Sequence, residues 1–319
     1  MSEKPDRRLV VTSFPHIMST ATTQQIMLDV VIALLPAAIA STVIFGWRSA
    51  LVIAVSVACC VGCEAAWMRG FKKPMLIGDL SAVVTGLLLA FNLPVDIPLW
   101  QVVVGSVVAI IVVKQLFGGL GHNFVNPALA ARVVLSISFA PDMTAYSSPR
   151  PVVDAVSSAT PLSLIGNGEV PSLVQLMLGT HMGVLGETCA AALLAGGIYL
   201  VIKKVLSPII PLTYIATTIL VSWLGGCAYP VHAALSGGLL LGAIFMATDY
   251  ATSPYTNLGR LVYGLGCGLF TGIIRTFGTS TEGVSYAILL MNLLLPYVND
   301  LARRKPYGTE GGGDAANKQ

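Results

Sequence analysis

Three carboxylates, Glu64, Asp249 and Asp300, stand inside or at the ends of apolar runs, where charge is costly and is a functional candidate by default. Glu64 lies about one helical turn before the basic group Arg69, Lys72 and Lys73, and Asp249 and Asp300 close later apolar runs. Oxygen ligands drawn from distant parts of a chain suit an entry site for Na+ or H+. Plainer roles stand beside that one: Asp300 can pair with Arg303 or Arg304, and Asp249 can cap a helix. Asn123 and Asn126 precede the run that starts at Pro127. They suit a second, noncovalent cofactor or the lining of an ion path, and Asn126 before Pro127 equally suits an N-cap. Lys114, Arg132 and Arg275 read as snorkelling or orienting cations.

A different chemistry is suggested by Asp154-Ala155-Val156-Ser157-Ser158-Ala159-Thr160-Pro161-Leu162. Thr160 followed by Pro161 reads as an N-cap with proline at the first helical position. Free amides at that terminus favour an anion, so a phosphate esterified to Thr160 would be stabilised there. On these residues alone an ordinary cap explains the pattern equally well. The six cysteines all fall in apolar runs, which argues against a disulfide framework. Cys60 and Cys63 have C-x-x-C spacing beside Cys59, yet no histidine or second pair is near in sequence, so helix packing is the simpler role. His16, His122, His181 and His232 are isolated and lack metal-ligand spacing.

The elements that must position these residues are transmembrane helices. Of the 319 residues, 55% are hydrophobic and 10% charged, with a mean hydropathy of +0.79. Soluble domains carry about 25% charged residues. A net charge of +3, thinly scattered, excludes a nucleic-acid-binding surface. No Gly-rich nucleotide fingerprint and no cluster-type cysteine array is present. Residues 1–24 contain Lys4, Arg7 and Arg8 without an apolar core and do not read as a cleaved signal peptide.

A span needs roughly 20 mostly apolar residues. Ten candidates follow, at about 25–45, 49–68, 77–93, 98–117, 122–140, 184–202, 208–224, 231–249, 257–275 and 282–301. With the N-terminus in the cytoplasm, the inner segments hold 14 Lys and Arg and the outer ones hold Arg48, Arg150 and Arg275, which fixes both termini inside. The expected organisation is a cytoplasmic segment 1–24, a five-helix repeat 25–140, an extracytoplasmic loop 141–183, a second five-helix repeat 184–301 and a cytoplasmic tail 302–319. An odd number of spans per half gives the halves opposite orientation. Gly86-Leu87-Leu88-Leu89 recurring as Gly238-Leu239-Leu240-Leu241 agrees, although leucine and glycine are common in membrane helices. Gly118 to Pro127 and Asp249 to Pro254 are candidate breaks at membrane depth lining a central path, or interfacial turns.

The run Ser157-Ser158-Ala159-Thr160 resembles the S-G-A-T type flavinylation motif of the family that includes the D component of the Rnf electron-transport complex (RnfD) and the B component of the sodium-translocating NADH:quinone oxidoreductase. The resemblance extends to Val61-Gly62-Cys63-Glu64, Gly118 to Leu129, Gly186-Glu187-Thr188, Phe245 to Asp249 and Glu282 to Asn292, in family order. It implies FMN held on Thr160 through a phosphoester, installed outside the cytoplasm by a flavin transferase, with Ser157, Ser158 and Asp154 around it. Ser158 replaces the usual glycine, and a positive φ there would strain serine. The resemblance also implies a urea-transporter-like all-α fold in the plasma (inner) membrane and a sodium-uptake role for the acids. A second flavin, riboflavin, would lie near Asn123 and Asn126. The short N-terminal segment favours the Rnf branch. The implied function is to relay electrons within an ion-translocating ferredoxin:NAD oxidoreductase. The implied partners are the A, B, C and E components of the Rnf complex and its covalent-flavin G component. The alternative is a solute channel or transporter of the same architecture without redox chemistry, or a scaffold with a vestigial site.

Overall fold

The first ordered turn is set by Thr22, whose hydroxyl accepts from Gln25 N–H at 3.3 Å while the Gln25 side chain accepts from Thr22 N–H at 3.1 Å. This reciprocal cap starts α1 (Thr23–Phe45), which a positive-φ Gly46 separates from α2 (Trp47–Gly70). The computed structural model describes residues 22–73, 77–146, 162, 165, 172–187, 189–278 and 283–303, and among them all regular structure is helical. The chain continues through α3 (Ser81–Phe91), α4 (Leu99–Val107, extended by a π-helix Val108–Gln115), α5 (Pro127–Ser138) and a short α6 (Ala140–Met143). Then come α7 (Leu173–Leu178), α8 (Ala190–Ile202), α9 (Ile209–Leu224) and α10 (Pro230–Leu235). The last four are α11 (Leu239–Leu241, extended by a π-helix Gly242–Met246), α12 (Asn257–Phe277), α13 (Gly283–Leu293) and α14 (Leu295–Leu301).

Among the described residues α1, α2 and α12 are each long and apolar enough to cross a membrane, and α13 with α14 forms a fourth candidate bent by 58°. Large apolar side chains at Val43, Ile137, Ile202 and Phe277 are more than 70% exposed, as a lipid-facing surface requires. The buried stripe of α2 is Ser49, Val52, Ser56, Cys60, Glu64 and Met68, spaced at three and four residues. Its small members admit α3 closely: Ser56 donates to Gly86 O at 2.8 Å, and a Cβ on Gly86 would lie 2.7 Å from Val57 Cα. On α12, Gly264, Gly268 and Gly272 face α9, where a Cβ at Gly268 would come within 2.5 Å of Thr217 and one at Gly272 within 2.6 Å of Val221. Small residues let membrane helices approach until their backbones touch.

Several expected spans are replaced by shorter pieces. The helix expected over 77–93 is the 11-residue α3, and the one expected over 231–249 is divided into α10 and α11 by Ser236, Gly237 and Gly238. Both inner pieces begin after a left-handed residue, Leu80 at φ 62° and Gly238 at φ 62°. Both are predominantly apolar and largely buried, which hydropathy alone does not distinguish from lipid-facing helix. The helix expected from 184 starts at Ala190, because 181–187 is a buried irregular segment. Leu185 N–H donates to Leu93 O at 3.1 Å and Gly186 N–H to Phe91 O at 2.9 Å, which fills carbonyls left open beyond α3.

Candidate functional site

Two polar clusters occupy the interior between these pieces. The first joins α2, α3 and the π-helix after α4. Lys114 Nζ is 2.7 Å from Glu64 Oε1, with both side chains at most 3% exposed. Gln115 Nε2 donates to the same oxygen at 2.7 Å, and Lys114 also donates to Ser81 Oγ at 2.6 Å. Ser81 is in turn fixed by Asp79, whose carboxylate accepts from its amide at 2.9 Å and its hydroxyl at 2.7 Å. Glu64 Oε2 has no hydrogen-bond partner among the described residues. A fully desolvated carboxylate is tolerated only with a cation or proton, and here the ammonium supplies the charge.

Of the two roles expected for Lys114, this is the orienting one: its ammonium is buried and does not snorkel. The extra residue of the π-helical turn lets Val113, Lys114 and Gln115 all face inward. Sequence reasoning missed Ser81 and Gln115, which became partners only through packing across the chain. Runs of small polar residues on apolar helices are the signal that points to such contacts.

Asp249 follows α11 and the π-helix after it. Thr252 Oγ1 donates to its carboxylate at 3.4 Å, and the Asn123 side chain and the amides of Tyr250 and Ala251 lie beside it, all neutral groups. Lys114, Ser81, Asn123, Asn126 and Asp249 all line one cavity of about 90 Å³, closed on its apolar side by residues such as Val84, Leu88, Leu206 and Phe245. That space holds about three waters. It has room for a hydrated monovalent cation.

The second cluster ties the ends of the two short inner helices together. Asn92 Nδ2 donates to Leu88 O at 2.6 Å and reaches Met246 Sδ at 3.6 Å, while Arg132 Nη1 donates to Asn92 Oδ1 at 2.6 Å. Asn126 Nδ2 donates to Met246 O at 3.3 Å. Its Oδ1 caps α5 by accepting from Ala128 N–H at 3.0 Å and Leu129 N–H at 3.3 Å, as the Asn-Pro order suggested. Oriented to match its surroundings, the Asn292 amide accepts from Asn126 N–H at 3.1 Å and donates to Thr252 O at 3.2 Å, beside the Tyr263 hydroxyl at 2.5 Å. Arg132 is therefore a buried tie at a helix C-terminus, where its charge also complements the helix dipole.

Of the sequence-selected acids, Glu64 and Asp249 converge on the Lys114 region. Asp300 is exposed on α14 and does not join them. No group of three His, Cys, Asp or Glu side chains able to hold a metal occurs among the described residues. Cys59, Cys60 and Cys63 are free thiols, with Cys60 buried in the α2 stripe. Arg275 orients a loop, donating to the carbonyls of Ala233 at 2.7 Å, Ser236 at 3.1 Å and Gly237. Asp154, Ser157, Ser158 and Thr160 lie outside the described residues.

The NQR2, RnfD, RnfE family model matches residues 10–308. The chain is 47% identical over 305 residues to the D component of the Na(+)-translocating ferredoxin:NAD(+) oxidoreductase complex of Acetobacterium woodii, covering 94% of this chain and 95% of that one. It is 37% identical over 317 residues to the D component of the proton-translocating ferredoxin:NAD(+) oxidoreductase complex of Clostridium ljungdahlii, with 94% and 96% covered. To the D component of an ion-translocating oxidoreductase complex of Stutzerimonas stutzeri it is 35% identical over 336 residues, with 93% and 95% covered.

Proposed function

The chain belongs to the NQR2, RnfD, RnfE family, and from that premise we propose that it serves as the RnfD-type membrane component of an ion-translocating ferredoxin:NAD+ oxidoreductase complex. The observation that carries this reading is identity running end to end with relatives named for that activity. The chain is one part of a translocase and needs partner subunits to accept and deliver electrons. We assign the electron-carrying role to FMN joined to Thr160 by a phosphoester, made by a separate flavin transferase. Bound there, FMN would supply reversible one- and two-electron chemistry. The support is the motif Ser157-Ser158-Ala159-Thr160.

The ion path is assigned to the buried Glu64–Lys114 pair and to the small cavity that Lys114 and Asp249 both line. Its support is the buried pair at 2.7 Å and a cavity sized for a hydrated ion. Relatives named for Na+ and for H+ both cover the chain almost fully. A carboxylate in this setting can serve either cation.

We read the two halves as inverted five-helix repeats in the inner membrane with both termini cytoplasmic. The matched left-handed starts at Leu80 and Gly238 support the repeat. The excess of Lys and Arg in the inner segments supports the orientation. Nothing in the described residues favours the solute-channel alternative.

The test of this reading uses the whole complex, purified with and without this chain and fused into vesicles. Ferredoxin-driven NAD+ reduction and cation uptake should both require the chain. Full activity of a complex lacking it would refute the assignment.

A further inference from the structure

Two of the cations beside the short inner helices, Arg275 and Lys114, are held in different ways. Arg275 is tied to three backbone carbonyls, which the chain itself holds in place. Lys114 is tied, among the described residues, to side-chain oxygens only, Glu64 Oε1 and Ser81 Oγ. The two lie at opposite ends of the bundle. Leu206, just before α9, shares the Lys114 cavity, whereas Gly225 at the end of that 16-residue helix packs on Thr276 beside Arg275. A guanidinium with fixed carbonyl partners is a static clamp. An ammonium on a flexible four-carbon stem is free to change partners.

Three further observations show what that exchange would be. Glu64 offers one oxygen to both Lys114 and Gln115 and keeps the other without a partner among the described residues. Lys114 also borders the cavity of about 90 Å³ that Asp249 lines. The hydrogen-bond donors on Asp249 are neutral, so its charge is not matched by them. With the carboxylates ionised, Glu64, Asp249 and the Ser81-bound Asp79 outnumber the one ammonium of Lys114, so the region has negative charge left for a monovalent cation.

We propose that Lys114 is a tethered counter-cation: it neutralises Glu64 while no ion is bound, moves into the cavity towards Asp249 when the translocated cation takes the carboxylate, and returns to expel it. The buried carboxylate is then never left without a positive partner, which its desolvation would forbid. The exchange breaks only hydrogen bonds and ion contacts, and no proton or electron has to leave Lys114. This inference rests on the reading that Glu64 lies on the ion path.

The experiment uses the whole complex in proteoliposomes, driven by reduced ferredoxin and NAD+. Uptake of 22Na+ and acidification of the lumen are followed together, so the cation that moves is identified in the same assay. In Lys114→Met the competitor is gone, so the half-saturating cation concentration should fall about tenfold, and the maximal rate should fall about tenfold because release slows. In Lys114→Arg the planar fork grips the carboxylate through two bonds, so half-saturation should rise about tenfold. Opposite shifts in the two variants are the signature of competition. A purely structural ion pair would lower the maximal rate and leave half-saturation where it was in both, and that result overturns the proposal. Lys114→Arg keeps the test open if Lys114→Met fails to assemble. Glu64→Gln separates the two levels: normal transport in that variant would sink the ion-path reading itself, whereas lost transport with unmoved half-saturation in the Lys114 variants would sink the tethered cation alone.

Discussion

Asn92 Nδ2 lies 3.6 Å from Met246 Sδ, so residues 154 positions apart bring the ends of α3 and of the π-helix after α11 to one point. Each of these short helices ends with open carbonyls inside the protein, away from water. Side chains fill them: Asn92 serves Leu88 O, Asn126 serves Met246 O, and Arg132 anchors Asn92. Replacing Asn92 by Leu removes the bond to Leu88 O and takes an acceptor from a buried guanidinium. The expected cost is about 2–3 kcal/mol. Thermal unfolding of the detergent-solubilised chain should show a clear drop in midpoint, and an unchanged midpoint would mean the junction contributes nothing to stability.

Leu80 and Gly238 occupy the same left-handed conformation before their helices, but only one of them is glycine. A side chain in that region costs about 1–2 kcal/mol. Leu80→Gly should therefore raise stability by about 0.5–1 kcal/mol, less than the full strain because glycine loses more freedom on folding. Gly238→Ala should lower it by about 1 kcal/mol, and chiefly through the backbone, since the added Cβ would meet only Arg132 Nη1 at 3.8 Å. Measuring both midpoints in one detergent checks the pair. Shifts of the same sign would contradict the strain account.

For the covalent flavin, material co-expressed with its flavin transferase should fluoresce in a denaturing gel, with added mass on the peptide containing Thr160. Thr160→Ala should abolish both signals. Ser158→Gly should raise the fraction modified, because glycine relieves any positive φ that the attachment requires. A fluorescent Thr160→Ala chain would move the attachment elsewhere.

Hydropathy made much of the fold legible, and the reasons it stopped are local. α1, α2 and α12 appear close to their expected positions because length and apolarity are sufficient signals for a helix that crosses lipid. The pieces around Leu80 and Gly238 do not, because an inner helix surrounded by protein is as apolar as one surrounded by lipid. The start of α8 is displaced for a related reason: the segment 181–187 is buried and largely apolar, yet its amides serve carbonyls at and just beyond the end of α3. At the site, Glu64 and Asp249 were recognisable as costly charges. Lys114 was not recognisable as the partner of Glu64, since that pairing exists only once α2 and the π-helix pack together. The glycine stripe on α12 has a readable four-residue spacing but is hidden among the many glycines of the chain.

The central claim is that Glu64 is a station for the ion that this redox complex moves. It is tested most directly by counting cations carried per electron in proteoliposomes containing either wild-type complex or Glu64→Gln, with subunit content and flavin fluorescence matched. Glutamine keeps the shape and can still accept from Gln115 and Lys114, but it carries no charge to exchange. The account predicts that the ratio falls at least about tenfold, in line with losing a charge-assisted contact at a desolvated site. An unchanged ratio in assembled, flavinylated complex would contradict it.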